Sequence, residues 1–266
     1  SIILITILIK VSCSVLQIVQ LNGRFMKDYK KSISIGNSIY PLVCIGTYGR
    51  SYEELFELFS CYNYGDLWID TAYRYGNESV VADALQDSRF PVNKIIYTGK
   101  ICYSQQIGKK TVKEELIGTL SRLKISKIDV YLIHSPRYRR YCETWVEMQK
   151  LRDEGLVNTI GVSNFEIDDL ERIYQKTGEY PAINQIVYCQ NNDVDLQKKD
   201  LISFCRLKNI VVQAAMPFGG SEMARLLTEQ ERKKILRQNC KNQIISVFGT
   251  KSAKHMTQNL SYILGE

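Results

Sequence analysis

Histidine is scarce in this sequence, and its cysteines do not cluster. The chain has two histidines in 266 residues, His134 and His255, and its eight cysteines include no pair spaced as Cys-x-x-Cys. A metal site with the usual cysteine and histidine spacing is therefore not expected. Scattered single cysteines are typical of a reducing compartment rather than of a disulfide scaffold, which favours a cytoplasmic protein.

A concentrated basic surface is also missing. The net charge of +7 is spread along the chain, with no long basic arm and no basic patch interleaved with aromatic residues. Lysine pairs such as 109–110 and 233–234 are expected on solvated helix faces. The sequence therefore argues against nucleic-acid binding.

The first 25 residues form an apolar extension that has several interpretations. Residues 1–21 are apolar apart from Lys10 and a few polar side chains, and they lack an initiating Met and a basic start. The extension is either dispensable or not native coding sequence, or a targeting segment or membrane anchor, or a packed helix. Because Met26 opens a stretch typical of a natural start, we separate residues 1–25 from a single domain over 26–266. Membrane contact, or a secretory or membrane-anchored location, is expected only if residues 1–25 are such a targeting segment.

The rest of the chain alternates short apolar runs with amphipathic ones. Residues 31–41 alternate about Gly36-Asn37, which predicts a β-hairpin. Strands are predicted at 42–46, 67–70, 94–99, 128–134, 159–162, 182–185, 210–214 and 244–248. Helices are predicted at 52–62, 77–87, 110–124, 142–154, 166–177, 197–208, 224–239 and 253–263. This rhythm predicts an α/β fold, a closed parallel (β/α)8 TIM barrel with an N-terminal hairpin.

The barrel is expected to be shortened at its C-terminal end. Residues 220–244 leave room for about one helix, judged against ordinary helix lengths, and the chain stops soon after the last predicted helix.

Polar residues follow most of the predicted strands. In a TIM barrel the chemistry is carried by residues at the C-terminal ends of the strands. A single Asp or His there is typical of a helix cap or a satisfied core residue, but the joint pattern indicates a site. The residues concerned are Asp70, Lys100, His134, Ser163, Asn164, Gln185 and the loop 249–252.

Four segments together resemble the aldo-keto reductases. They are Ile69-Asp70-Thr71-Ala72-Tyr73-Arg74-Tyr75-Gly76-Asn77-Glu78, Tyr131-Leu132-Ile133-His134-Ser135-Pro136, Gly161-Val162-Ser163-Asn164-Phe165 and Ile183-Asn184-Gln185-Ile186. The resemblance runs from about Lys31 to Leu260. It implies reduction of an aldehyde or ketone by hydride transfer from NAD(P)H. The oligomeric state stays open, with a monomer as the first expectation.

The resemblance also implies four catalytic roles. Tyr75 would be the general acid, and Lys100 would lower the pKa of its phenol, which is about 10 in a free tyrosine. Asp70 would pair with Lys100 and hold it in place. His134 would bind and orient the substrate oxygen.

Cofactor contacts are implied in the same way. Ser163, Asn164 and Gln185 would hold the nicotinamide carboxamide, and the loop after the last strand would bind the adenosine 2′-phosphate, since a loop that opens a helix presents N–H groups to an anion. The implied set is Thr47, Asp70, Ser163, Asn164, Gln185, Met216, Phe218, Gly249, Thr250, Lys251, Ser252, His255, Gln258 and Asn259.

Cofactor preference is expected to be mild. Many relatives carry a lysine where Gly249 stands and an arginine where His255 stands, so two fixed cations are missing here. We expect NADPH to bind, with NADH also plausible, and the preference for NADPH to grow toward pH 6 as His255 gains a proton.

Several positions depart from the family pattern. Ala215 stands where an aromatic residue commonly stacks on the nicotinamide, and Cys102 and Ser135 stand where pocket tryptophans are common. Cys189-Gln190 replaces a His-Pro pair, and the long C-terminal loop is missing. Besides an active reductase, a cofactor-binding regulatory protein with little turnover and a degenerate relative therefore stay open.

Arginines near the pocket mouth suggest two interpretations. Arg137, Arg139 and Arg140 follow His134 closely. They indicate either a preference for an anionic carbonyl substrate or ordinary solvated loop charges.

Overall fold

The computed structural model describes residues 31–102, 111–137, 140–189 and 194–264, with side chains from residue 198 in the last range. The extension over residues 1–25 and Arg139 lie outside the described residues, as does Gln190. Within the described residues, no helix combines the length and the apolar character needed to cross a membrane.

The predicted N-terminal hairpin is present. Strands β1 (Ser32–Ile35) and β2 (Ser38–Pro41) pair antiparallel. Gly36 adopts a positive φ of 58° at the turn, which suits a residue without a side chain. The hydroxyl of Tyr40 lies 2.8 Å from the Thr159 hydroxyl, which ties the hairpin to the barrel.

Eight parallel strands form a closed barrel, as the sequence predicts, and the last strand pairs with the first. The strands are β3 (Val43–Gly46), β4 (Leu67–Asp70), β5 (Ile95–Ile101), β6 (Ile128–Ile133), β7 (Val157–Ser163), β8 (Ile183–Val187), β9 (Val211–Ala215) and β10 (Ile245–Phe248). The helices are α1 (Tyr52–Ser60), α2 (Glu78–Ser88), α3 (Val112–Leu123), α4 (Tyr141–Asp153), α5 (Ile167–Thr177), α6 (Val194–Leu207), α7 (Gly220–Leu226), α8 (Glu229–Lys241) and α9 (Ala253–Leu264).

The segment before β10 differs from the prediction. A single helix over 224–239 was expected there, but the chain forms α7 and then α8. Thr228 separates them because it starts a capping box: its N–H donates to the Glu231 carboxylate at 2.7 Å, and its hydroxyl accepts from the Glu231 N–H at 3.3 Å.

The barrel places its polar residues at one end. The apolar strand residues fill the interior, whereas Asp70 closes β4, Ser163 closes β7 and Gln185 lies in β8. Since parallel strands end at the same rim, these residues converge there.

Candidate active site

A buried lysine joins an aspartate and a tyrosine at this rim. The Lys100 ammonium nitrogen lies 2.5 Å from Asp70 Oδ1 and 2.9 Å from the Tyr75 hydroxyl. The Tyr75 hydroxyl also lies 3.5 Å from Asp70 Oδ1. Strands β4 and β5 carry Asp70 and Lys100, and the short 3-10 turn Tyr73–Tyr75 presents the phenol to them. The three groups are thus in hydrogen-bond or ion-pair reach of one another.

Burial and charge set the protonation of this group. Burial by itself would lower the pKa of Lys100, but Asp70 and then Tyr75 raise it above its usual value, so the ammonium stays charged. Burial raises the pKa of the Tyr75 phenol, and the Lys100 charge lowers it by less, so the net direction is upward. The expected sign of the lysine's own effect therefore holds, but desolvation outweighs it.

His134 faces the same group as a neutral imidazole. It follows β6 directly, and its ring centroid lies 5.9 Å from that of Tyr75 in an edge-on arrangement. Burial, followed by the charge of Lys100, lowers the pKa of His134 to about 4. Nδ1 is enclosed and has no hydrogen-bond partner among the described residues. At neutral pH this ring therefore offers one N–H donor and no positive charge.

Amide side chains continue the network from Asp70. Gln185 Nε2 donates to Asp70 Oδ2 at 2.7 Å and to Gln213 Oε1 at 2.9 Å. Asn164, held at a positive φ of 61°, donates from Nδ2 to the Ser163 hydroxyl at 3.1 Å. The Asn164 N–H also donates to the Gln185 carbonyl at 2.8 Å, which keeps the amides of β7 and β8 side by side.

Gln213 is a site residue that the sequence reasoning missed. It is fully buried in β9, and its Nε2 has no partner among the described residues. The signal was present, because Gln213 is the one polar residue in the strand Val-Val-Gln-Ala-Ala. A buried amide in such a strand indicates a polar neighbour in the barrel.

Tyr48 is a second missed residue. Its ring lies edge-on to Tyr75 with centroids 5.1 Å apart, and 68% of the residue is exposed. An aromatic ring therefore lies beside Tyr75 on this side, although Cys102 and Ser135 stand where pocket tryptophans are common. Its position directly after Thr47, beyond the first barrel strand, was the available signal.

Thr47 connects Asp70 and Asn77 through two hydrogen bonds. Its hydroxyl donates to the Asp70 carbonyl at 3.0 Å, and its own carbonyl accepts from Asn77 Nδ2 at 2.7 Å. Thr47 is completely buried. Its side chain therefore fixes the Asp70 peptide and is not exposed to a ligand.

The two residues proposed after β9 lie in different environments. Met216 has a positive φ of 49° and is 51% exposed at the rim, next to Ala215. Phe218 is buried, and its ring lies 6.2 Å from that of Phe248. Met216 is thus accessible to a ligand, whereas the Phe218 ring packs in the core.

The loop after β10 leads into α9. Thr250 Oγ1 accepts from the Ser252 N–H at 3.2 Å, and Ser252 Oγ accepts from the His255 N–H at 3.4 Å. Lys251 pairs with Glu54 of α1 at 3.4 Å. Among the remaining predicted residues, His255 is exposed, Gln258 is half-buried and Asn259 is buried.

Gly249 brings this loop close to the first barrel strand. A Cβ added at Gly249 would lie 3.1 Å from the Gly46 carbonyl oxygen. A larger residue there would require the Gly46 peptide to shift by a few tenths of an ångström, so the position favours glycine.

A cavity lies next to the 3-10 turn that presents Tyr75, although none of Asp70, Tyr75, Lys100 and His134 is among its lining residues. It has a volume of about 450 Å³, and its lining residues are Tyr73, Arg74, Gly76, Glu78, Ser79, Cys102 and Arg122. Glu78 pairs with Arg122 at 2.5 Å. Arg74 precedes Tyr75 and contributes to lowering the pKa of His134, so its charge acts on the site.

The loop arginines have a different environment. Arg137 is exposed, and Arg140 pairs with Glu143 at 2.7 Å. The Arg140 charge is thus paired with Glu143 of α4.

No cluster of three or more potential metal ligands occurs in the described part of the chain.

The sequence matches known proteins over most of this barrel. The family model of the aldo/keto reductase family matches residues 53–264. The chain is 34% identical over 164 residues to 9,11-endoperoxide prostaglandin H2 reductase of Trypanosoma cruzi, covering 60% of this chain and 54% of that protein. It is 34% identical over 158 residues to NAD/NADP-dependent indole-3-acetaldehyde reductase of Schizosaccharomyces pombe, covering 58% and 54%. It is 34% identical over 152 residues to methylglyoxal reductase DkgA of Escherichia coli, covering 56% and 54%. The chain thus spans about half the length of the curated relatives it matches.

Solved structures match more completely. An aldo/keto reductase from Brucella melitensis superposes with a TM-score of 0.74 and 27% identity, covering 87% of this chain and 92% of that one. The apo form of Gox0644 gives a TM-score of 0.75 and 27% identity, covering 88% of each chain.

Proposed function

The chain belongs to the aldo/keto reductase family, and we propose that it reduces the carbonyl group of a small aldehyde or ketone to an alcohol with NAD(P)H. The observation that carries this proposal is the Tyr75 hydroxyl, 2.9 Å from a buried, charged Lys100 that is itself paired with Asp70. Such a phenol can give up a proton and be stabilised as phenolate.

The chain's own residues manage the proton and the substrate. Tyr75 donates its proton to the carbonyl oxygen as the carbonyl carbon is reduced, and Lys100 stabilises the resulting phenolate, which solvent reprotonates. Neutral His134 donates its N–H to the same oxygen and orients the carbonyl. A nicotinamide cofactor, when bound, would supply the hydride.

The residues present fit a nicotinamide amide. Gln185 uses both donors of its amide group, but its Oε1 has no donor among the described residues. We infer that this oxygen, with Ser163 and Asn164, binds the carboxamide. A carboxamide carries both donors and an acceptor, which matches this set.

The start of α9 fits a phosphate. The N–H groups of Ala253 and Lys254 have no acceptor among the described residues, and Lys251 precedes Ala253 by two residues in the sequence. A helix N-terminus of this kind stabilises an anion. We propose NADPH as the cofactor, with NADH also bound, because Lys251 is the one lysine in the loop 249–252.

The substrate is proposed to be small and polar. Relatives are named as reductases of methylglyoxal, indole-3-acetaldehyde and glyoxal. Arg74 precedes Tyr75, lines the neighbouring cavity and is exposed, and its charge favours a carbonyl compound that carries a negative group. The seven described cysteines form no disulfide with one another, which supports a reducing, cytoplasmic location.

The test is turnover by Tyr75→Phe. General acid catalysis contributes about 10²–10⁴ in rate, so we expect at least about a hundred-fold lower kcat with unchanged cofactor affinity. The assay follows loss of reduced-nicotinamide absorbance with a panel of aldehydes and ketones. Tyr97→Phe, on the strand that carries Lys100, is the matched control and retains activity.

Two outcomes would contradict the proposal. Wild-type activity that survives Tyr75→Phe would exclude the proposed general acid. Cofactor binding without turnover on any carbonyl would favour a regulatory protein. Ala215 would agree with that function, because it stands where an aromatic residue commonly stacks on the nicotinamide.

A further inference from the structure

Glu54 joins two loops at the cofactor end of the barrel. Its Oε1 lies 3.4 Å from the Lys251 ammonium, in the loop after β10. Its Oε2 accepts from the Ser51 N–H at 3.2 Å and lies 3.6 Å from Arg50 Nη1, in the loop after β3. One carboxylate therefore contacts a cation from each loop.

In the ion pair of Glu54 and Lys251, the glutamate side chain is held in place and the lysine side chain is free to move. Glu54 is the third residue of α1, and its carboxylate closes a capping box with Ser51, which fixes its position. The Glu54 side chain is 23% exposed, whereas that of Lys251 is 70% exposed. A phosphate that binds at the loop would attract Lys251 away from Glu54, but the Glu54 carboxylate would remain near the bound phosphate.

We propose that Glu54 limits the preference for NADPH over NADH. It holds Lys251 when no phosphate is bound, and it repels the 2′-phosphate that takes its place. NADH carries a hydroxyl at that position, so the penalty falls on NADPH alone. This inference rests on the proposed function, because it assigns the loop after β10 to the 2′-phosphate.

The expected effect is modest because the pair is exposed. Ion pairs of this kind contribute up to about 1 kcal/mol, and salt screens them. Removing the Glu54 charge is therefore expected to tighten NADPH binding about two- to five-fold, which is about 0.4–1 kcal/mol at 1.4 kcal/mol per factor of ten.

The experiment compares Glu54→Gln with Glu53→Gln. Glutamine also serves at the third position of a capping box, so α1 keeps its start. Glu53 lies in the same helical turn, but its carboxylate accepts from the Ser51 hydroxyl at 2.8 Å and has no contact with Lys251. Dissociation constants of NADPH and NADH are measured by fluorescence titration of the full chain at low and high salt.

We expect Glu54→Gln to lower the NADPH constant alone, and Glu53→Gln to leave the ratio of the two constants unchanged. The gain should shrink at high salt, and it should become smaller when Lys251→Met is added, because Glu54 then acts on the 2′-phosphate by repulsion alone. Loss of the helix start would move both cofactors together, so the ratio separates specificity from structure.

Three results would overturn the inference. They are an unchanged ratio in Glu54→Gln, an equal gain for NADH, which would assign Lys251 to the shared pyrophosphate, and an equal change of the ratio in Glu53→Gln. A wild-type chain that binds neither cofactor would instead refute the proposed function.

Discussion

Replacing Lys100 by methionine tests how the buried ion pair supports the site. The lysine is completely buried, and Asp70 is 3% exposed, so the substitution leaves a carboxylate inside the barrel without its cation. Removing one partner of a buried pair costs about 3–5 kcal/mol. At about 2–4 °C per kcal/mol for a chain of this size, the melting temperature should fall by roughly 6–20 °C.

The double variant Asp70→Asn, Lys100→Met separates charge from packing. Asparagine has nearly the volume of aspartate and can still accept a hydrogen bond from Gln185, which lies 2.7 Å from Asp70 Oδ2. Methionine replaces most of the aliphatic chain of the lysine. With both charges removed, we expect about 2 kcal/mol or more of the loss to be recovered.

Activity should not follow stability in this series. Tyr75 loses the ammonium that stabilises its phenolate in both variants, so kcat should stay at least about a hundred-fold below wild type. Urea unfolding and reduced-nicotinamide oxidation measure the two quantities separately. A double variant no more stable than Lys100→Met would refute the argument from an unpaired charge. Recovered turnover would show that Tyr75 works without Lys100.

Two further predictions concern charge at the site. With the pKa of His134 lowered to about 4, the unfolded chain binds a proton that the folded chain does not between about pH 6.5 and 4. The stability from this group is therefore present above about pH 6.5 and is lost toward pH 4, with a slope of at most about 1.4 kcal/mol per pH unit. Urea unfolding of His134→Gln should show a shallower pH dependence by that amount, and identical slopes would contradict the shifted pKa. Arg74→Gln should lower kcat/KM for succinic semialdehyde about ten-fold but not for butanal, since a charge-assisted hydrogen bond contributes about 1.5–3 kcal/mol. Arg206→Gln, on the last turn of α6, is the control, and equal losses on both aldehydes would exclude an anion-binding role for Arg74.

The barrel was predictable because its signals are local. Each barrel strand is a short apolar run, and each observed boundary of a barrel strand differs from the predicted one by two residues or fewer. Asp70, Lys100 and Gln185 could be assigned to one rim because parallel strands end together. That argument needs strand order and length but no side-chain contacts.

The missed features depend on tertiary contacts. Tyr48 joins the site because a loop brings it against Tyr75, at 5.1 Å between ring centroids, and Gln213 joins because β8 and β9 pair in register. The boundary between α7 and α8 depends on a capping box at Thr228. The sequence also predicts that Lys100 lowers the pKa of Tyr75. It does not predict the larger upward effect of burial on that pKa, because burial depends on the packed structure.

Stability alone does not account for the polar end of this barrel. A buried ion pair is commonly no more stabilising than well-packed apolar residues. Here the pair is joined by Gln185 and Gln213, and the Nε2 of Gln213, which has no partner in the described part of the chain, adds a cost of about 1–3 kcal/mol. Asp70 gives this arrangement a functional reason, because one of its oxygens holds Lys100 and the other holds Gln185. A single carboxylate thus positions both Lys100, the partner of the proposed proton donor Tyr75, and Gln185, the amide proposed to bind the cofactor, so both parts of the proposed reaction depend on the position of Asp70.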